Sequence, residues 1–172
     1  MTKIVGISAF YHDSAVALIE NGKVIYASQE ERFSRKKHDA CFPNLALKNL
    51  LYSNNIKLNH IDYIVFYEKP FLKFERLIET YLALVPRGFK QFLKSMPVWL
   101  NEKLFMKRMI VDNLKKFDKK FSEKKLFFSE HHLSHAGSAF FPSPYNKSII
   151  LTADGVGEWA TTSIAIGNKN NI

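Results

Sequence analysis

Cysteine, glycine, proline and long apolar runs are all scarce in this sequence of 172 residues. The single cysteine, Cys41, excludes an internal disulfide framework and a cysteine-rich zinc module, and it indicates a reducing, intracellular setting. Seven glycines and six prolines exclude a collagen-like or linker-like chain. No apolar run approaches the roughly 18 residues of a membrane span. The short apolar stretch at residues 4–10 meets His12 and Asp13 at once, unlike a signal peptide. We therefore expect a cytoplasmic protein without a membrane partner.

Positive charge is concentrated in the middle of the chain. Hydrophobic residues make up 47% and charged residues 24%, which is typical of a globular protein, and the net charge is +9. Residues 69–125 hold 15 Lys/Arg and 6 Asp/Glu, whereas the remainder holds 10 of each. Basic residues with aromatic neighbours suit nucleic acid, but the apolar residues follow a helical period, which favours core-facing helices with solvated basic faces. The remaining alternative is that the basic segment forms a binding surface for a large partner or a polyanionic substrate. The aromatic neighbours are Phe89, Phe92, Trp99, Phe105, Phe117 and Phe121.

Strand and helix patterns alternate along the chain and predict an α/β fold. The Asn21-Gly22 pair predicts a tight hairpin between β-prone runs. Pro97 and the Pro86-Arg87-Gly88 run are predicted to divide the basic segment 71–120 into two or three helices. Three antiparallel strands followed by alternating helices and strands predict a mixed sheet with flanking helices. The ribonuclease-H-like halves of the actin and sugar-kinase class begin in this order. The other predicted elements are strands at 3–10, 14–20, 23–29, 61–67, 125–128, 147–153 and 160–167, a helix at 131–140, and an amphipathic helix after Pro43 with Leu45, Leu47, Leu50 and Leu51 on its apolar face.

Two histidines and an aspartate form a candidate metal site. His131 and His135 are four residues apart, which on a helix places both imidazoles on one face. Asp154 follows an apolar strand, where α/β sheets tend to place ligand sites. Such a two-histidine, one-carboxylate set suits iron, and zinc and manganese are alternatives. Gly155 and Gly157 would let backbone amides approach a phosphate. A helix cap with a packed histidine, and a plain β-turn at residues 154–157, are the structural alternatives.

Two further polar blocks are ambiguous from sequence. His12, between two apolar strands, suits a general base near neutral pH, while its neighbours Asp13 and Ser14 equally suit a capped turn. Residues 29–39 are densely charged. Arg35 and Lys37 could contact an anionic group, but the spacing by itself favours a solvated loop.

Four blocks in order resemble one family. GISAFYHDSAVAL, SQEERFSRKKHDACFP, EHHLSHAGSAFFPSPY and LTADGVGEWATT together are similar to the N-terminal domain of the nodulation and antibiotic-tailoring O-carbamoyltransferases (NodU/CmcH type). The resemblance covers nearly the whole chain, although residues 60–125 are not distinctive. It implies an actin-like ATPase fold akin to the transferases that make threonylcarbamoyl-adenosine in tRNA.

The resemblance also implies a reaction. In this family a YrdC-like C-terminal domain makes carbamoyl-adenylate from carbamoyl phosphate and ATP, and the N-terminal domain transfers the carbamoyl group to a hydroxyl of a small-molecule acceptor. A metal, typically iron, sits in the transfer site, and its ligands fall on His131, His135 and Asp154. His12 falls where the family places a candidate base. Arg35 and Lys37 fall in a loop that would meet the acceptor or the nucleotide.

The family pattern extends beyond these 172 residues. A fourth ligand, an aspartate, and the YrdC-like domain are expected outside them. We therefore expect an N-terminal portion of a transfer domain, with a first lobe at about 1–145 and the start of a second at about 146–172. Such a portion would need a complementing chain, or would self-associate through exposed apolar surface. The alternative is an inactive fragment or an interaction module with a basic helical surface.

Overall fold

The computed structural model describes residues 1–102 and 105–172, and these form two compact units. Unit 1 comprises Met1–Tyr67 and Lys107–Phe128, and unit 2 comprises Glu68–Met106 and Ser129–Ile172. Within the described residues, no helix has the length and apolar character needed to cross a membrane. The lobe boundary expected near residue 145 stays a prediction.

Unit 1 contains a mixed sheet of five strands, which are β1 Lys3–Ser8, β2 Ala15–Glu20, β3 Lys23–Gln29, β4 Tyr63–Phe66 and β5 Leu126–Phe128. The strands lie in the order β3-β2-β1-β4-β5. β1 pairs antiparallel with β2 and β2 antiparallel with β3, whereas β1 and β4, and then β4 and β5, are parallel. Asn21 and Gly22 both have positive φ (50° and 80°), so the predicted hairpin turn between β2 and β3 is confirmed. The mixed sheet predicted from the sequence is therefore present.

Alternating residues of the strands form the core of unit 1. Because successive side chains point to opposite faces of a strand, β1, β2 and β4 each bury every second residue. Helix α2 (Asn44–Ser53) lies against β2 and β3. It buries Ala46, Leu47 and Leu50. Leu45 is 44% exposed, so the prediction that it lies on the apolar face was wrong. The short helix α1 (Glu31–Ser34) and most of α5 (Met106–Lys115) also belong to unit 1.

The described residues of unit 2 form a strand pair and three helices. β6 (Lys147–Ala153) and β7 (Thr162–Asn168) are antiparallel, as predicted, and α6 (His131–Phe140) contacts both. Ala136 and Phe140 of α6 pack with Ile150 of β6. Other aliphatic residues of the pair remain exposed; these are Ile149, Leu151, Ile164 and Ile166.

The basic segment differs from its prediction in two ways. Helix α3 (Pro70–Leu84) and helix α4 (Phe89–Glu102) are separated at residues 86–88 as expected, but Pro97 lies inside α4 and does not end it. A proline removes one backbone N–H, and a helix can continue past it. The expectation that most apolar residues here are core was also wrong for α3, whose only buried residue is Pro70. Tyr81 instead stacks on Phe92 of α4, with ring centroids 3.9 Å apart. The side chain of Trp99 lies outside the described part.

The first strand is shorter than predicted. β1 ends at Ser8, not at residue 10, because Phe10 has φ 71°, which is incompatible with an extended strand. The amide of Phe10 instead donates to the carbonyl of Ala40. The loop that contains His12 therefore begins two residues earlier than predicted.

Candidate metal centre

Two histidines of α6 lie side by side in unit 2. α6 begins at His131, and the spacing of four residues places His135 one helical turn later on the same face. The packing of Phe140 in the unit 2 core holds this helix on β6. The Nε2 atoms of the two imidazoles are 3.0 Å apart, and the rings meet edge to face.

Asp154 brings a carboxylate to the same point. It follows β6, and its amide donates to the carbonyl of Thr161, so the turn begins at this residue. Its Oδ2 lies 2.6 Å from His131 Nε2. Burial opposes ionisation, but hydrogen bonds from His131 and from the amides of Gly155 and Gly157 outweigh it, and the pKa of Asp154 is lowered. The carboxylate is therefore negatively charged at neutral pH.

The three converging side chains fit a divalent metal ion. One ligand atom each from His131, His135 and Asp154 lies within 4.8 Å of the other two. One proton on His131 Nε2 can form a hydrogen bond with Asp154 Oδ2 or with His135 Nε2, but not with both. A metal ion, by contrast, can accept a lone pair from each of the three ligand atoms. With metal–nitrogen distances of about 2.1 Å, ligand atoms at right angles around one ion lie about 3 Å apart. His131 Nε2 lies at similar distances from Asp154 Oδ2 (2.6 Å) and from His135 Nε2 (3.0 Å). The donor set suits iron, manganese or zinc.

The protonation state of His135 favours the same role. Burial is the main cause that lowers the pKa of His135, and the charge of His131 adds to it, while Asp154 opposes both. The imidazole is therefore neutral at pH 7, which is the form that binds a metal.

A buried carboxylate, Glu68, lies on the opposite side of the His131 ring. Glu68 is fully buried, and its Oε2 lies 4.0 Å from His131 Nδ1. The Nζ of Lys73, one turn into α3, forms an ion pair with the same oxygen. Carboxylates next to the second nitrogen commonly orient metal-binding histidines. Glu68 was not predicted from the sequence, where its only indication is an acidic residue at the end of the apolar run of β4.

The turn between β6 and β7 is held by two more residues, Glu158 and Arg76, which were not predicted from the sequence. Glu158, also buried, accepts hydrogen bonds from the backbone amides of Lys69 and His131. The guanidinium of Arg76 donates to the carbonyls of Val156 (2.5 Å) and Glu158 (3.4 Å). In the sequence, Glu158 is indicated only by its position directly after the Asp-Gly-x-Gly pattern. No sequence pattern indicates a role for Arg76.

One glycine of this turn is required by its geometry. Gly157 has φ +62°, and a Cβ built there would lie 2.1 Å from the carbonyl oxygen of Ala160. Its amide is 3.2 Å from Asp154 Oδ2. Around Gly155, by contrast, a Cβ would meet no atom within 4 Å.

His132, the second residue of α6, is turned away from the cluster. Its Nδ1 forms a 2.8 Å hydrogen bond with the hydroxyl of Ser163 on β7. His132 is half-buried. It anchors α6 to the strand pair.

In unit 1 the His12 loop forms a second polar cluster. The carboxylate of Asp13 lies between two histidines, 2.8 Å from His12 Nδ1 and 3.0 Å from His38 Nδ1. The hydrogen bond with His38 is the larger cause, and that with His12 the next, of a lowered pKa at Asp13. All three side chains are accessible to solvent.

The charged block at residues 29–39 divides into buried and exposed residues. Arg35 and Lys37 are exposed, and Arg35 ends α1 in the left-handed conformation. Glu30 and Asp39 are buried, so a wholly solvated loop was wrong. The amide of Ser14 donates to the carbonyl of Asp39 and His38 contacts Asp13, so unit 1 brings this block beside the His12 loop.

Comparisons with known proteins show the family to which the chain belongs. A family model described as carbamoyltransferase N-terminus matches residues 3–172. An uncharacterised protein of Synechocystis sp., sll1178, is 53% identical over the whole chain, which covers 28% of that protein. The nodulation protein NolNO of Sinorhizobium fredii is 30% identical over 96% of the chain, or 22% of its own length. An uncharacterised protein of Methanocaldococcus jannaschii, MJ1058, is 30% identical over 95% of the chain, or 32% of its own length. The chain thus spans less than a third of each of these relatives.

Proposed function

Because the chain belongs to the carbamoyltransferase N-terminal family, we propose that it takes part in transferring a carbamoyl group from carbamoyl-adenylate to a hydroxyl of a small-molecule acceptor. The observation that carries this proposal is the convergence of His131, His135 and Asp154 on one point. These residues come from a helix and from a strand end, and the donor set is suited to divalent iron.

The proposed fold is an actin-like ATPase fold. Unit 1 has three antiparallel strands followed by two parallel ones, which is the order expected of a ribonuclease-H-like half. The pair β6 and β7 matches the expected start of a second half. We assign Arg35 and Lys37, both exposed cations, to contacts with the nucleotide or the acceptor. Gly155 and Gly157 are assigned to the nucleotide phosphate, since the space around Gly155 is open.

In the proposed reaction His12 is the base. With its Nδ1–H directed at the Asp13 carboxylate, its Nε2 is left to accept a proton. The acceptor hydroxyl gives its proton to this Nε2 while its oxygen forms a bond to the carbamoyl carbon. The bond between that carbon and the phosphate oxygen breaks, and AMP leaves with the electron pair. His131, His135 and Asp154 would hold a divalent ion, which would supply Lewis-acid charge near the leaving phosphate.

The proposal includes a partner activity. Carbamoyl-adenylate is assigned to a YrdC-like domain that uses carbamoyl phosphate and ATP, in the same protein or on a complementing chain. The proposed acceptor is a small molecule that carries a hydroxyl group.

Metal content tests the proposal directly. We expect the chain loaded with Fe²⁺ under reducing conditions to retain about one ion, and His135→Ala to lose it, by elemental analysis after desalting. His132→Ala is the matched control, because His132 lies on the same helix but bonds Ser163. Equal metal in wild type and His135→Ala, or none in a folded wild type, would overturn the assignment.

An interaction module is the second candidate. α3 exposes Phe71 and Leu82 in a basic segment, which would suit a partner surface. This candidate predicts a folded chain whose stability does not respond to metal. A rise in unfolding temperature with Fe²⁺ that His135→Ala abolishes would exclude it.

A further inference from the structure

Glu158 is a buried carboxylate with an unusual pair of partners. It is only 5% exposed, and both of its oxygens accept backbone N–H groups, Oε1 from Lys69 and Oε2 from His131 (3.0 Å). A buried carboxylate is costly unless its lone pairs are satisfied. Here the hydrogen bonds come from main-chain amides at the starts of α3 and α6. The Glu158 side chain therefore joins the β6–β7 turn to the starts of both helices.

The turn that carries Glu158 also carries Asp154, and both carboxylates bind His131. Asp154 Oδ2 contacts the ring at Nε2 (2.6 Å), and Glu158 Oε2 accepts from the main-chain amide. Gly157 between them adopts a left-handed conformation with no room for a Cβ. Arg76 of α3 binds the carbonyls of Val156 and Glu158. The turn is thus attached to both α3 and α6.

We propose that Glu158 is a positioning residue for the candidate metal centre. By fixing the His131 backbone relative to the turn, it sets the separation between the His131 imidazole and the Asp154 carboxylate. The metal-affinity test of this inference rests on the proposed function, because it requires that the centre bind a metal ion. A carboxylate that only caps α6 would stabilise the helix and leave metal affinity unchanged, which gives the two roles different signatures.

Glu158→Gln is the sharpest perturbation. The glutamine amide keeps the shape but offers one acceptor and one NH₂ donor, and the donor must face a backbone N–H. The matched control is Glu130→Gln. Glu130 directly precedes His131, but its carboxylate is exposed and binds the Lys69 side chain, not a main-chain amide.

The experiment measures Co²⁺ affinity by calorimetric titration of the 172-residue chain at pH 7.5. We expect Glu158→Gln to weaken binding by about 10–100-fold, the usual effect of losing a residue that orients a ligand. Glu130→Gln should stay within about twofold of wild type. A Glu158→Gln affinity equal to that of wild type would overturn the inference. If Glu158→Gln does not fold by circular dichroism, Arg76→Gln takes its place, with a loss of severalfold expected and no loss refuting the inference.

A metal-free measurement separates this inference from the proposed function. In the apo protein, Glu158→Gln should make the amide of His131 or Lys69 exchange with deuterium about 10-fold faster and shift the ¹⁵N resonance of His131 Nε2 as its contact with Asp154 changes. If wild type binds no Co²⁺ but these changes occur, the metal assignment fails and the positioning role stands. If neither the amides nor the Nε2 resonance responds, the positioning role fails whatever the metal result.

Discussion

Glu30 is the most informative residue for testing how unit 1 is held together. Its side chain is 4% exposed, and its two oxygens accept the amides of Leu45 (2.9 Å) and Ala46 (2.7 Å) in the first turn of α2. Pro43, the residue before α2, makes no side-chain cap. A carboxylate distant in sequence therefore satisfies amides that would otherwise lack a partner within the helix.

The expected cost of Glu30→Gln follows from these two bonds. The glutamine amide can accept only one N–H and turns a donor toward the other, so one charge-assisted bond is lost, at about 1.5–3 kcal/mol. The negative charge at the helix N-terminus contributes a further 0.3–1 kcal/mol, approximately. We expect a total loss of about 2–4 kcal/mol in the free energy of unfolding.

Urea unfolding followed by circular dichroism measures this loss. With an m-value of about 2 kcal/mol/M, a loss of 3 kcal/mol moves the midpoint by roughly 1.5 M. Glu75→Gln, at an exposed position on α3, is the control and should change the midpoint little. A Glu30→Gln midpoint within about 0.25 M of wild type would refute the capping role of Glu30.

Three further predictions concern other charged contacts. Asp13→Asn should destabilise the protein at pH 7. The difference in urea midpoint between wild type and variant should vanish as the pH falls through the lowered pKa of Asp13, because wild type then loses the stabilising charge. A difference that grows at low pH would contradict this. The hydrogen bond with Asp39, and then burial, raise the pKa of Cys41, so iodoacetamide should modify it more slowly than a free thiol at pH 8, and Asp39→Asn should speed the reaction. Lys73→Met should lower the free energy of unfolding by about 3 kcal/mol, because it leaves the charge of buried Glu68 less compensated; an unchanged thermal unfolding temperature would rule this out.

Short-range features were predictable because they follow from local geometry. The Asn21-Gly22 turn needs positive φ at two consecutive positions, which few residue pairs supply. The approach of His131 to His135 follows from the helical period, and the position of Asp154 follows from the end of a strand. The family resemblance added the expectation that these three residues act together.

The long-range contacts were not predictable. Glu30 binds amides 15 and 16 residues away, and Glu158 binds one 27 residues away. Backbone amides are the same at every residue, so no residue type marks the partner. The exposure of α3 was missed because a helical period shows that one face is apolar and does not show what covers it.

The amino-acid sequence by itself thus determined the order of the elements, the hairpin turn and the identity of the three candidate ligands, because each depends on residue type and local spacing. Only the tertiary structure decided that Glu68 lies beside His131, that Glu158 and Arg76 hold the turn carrying Asp154, and that Asp13 lies between His12 and His38. These contacts depend on how the chain brings distant segments together, and that is governed by the packing of apolar side chains over the whole of each unit.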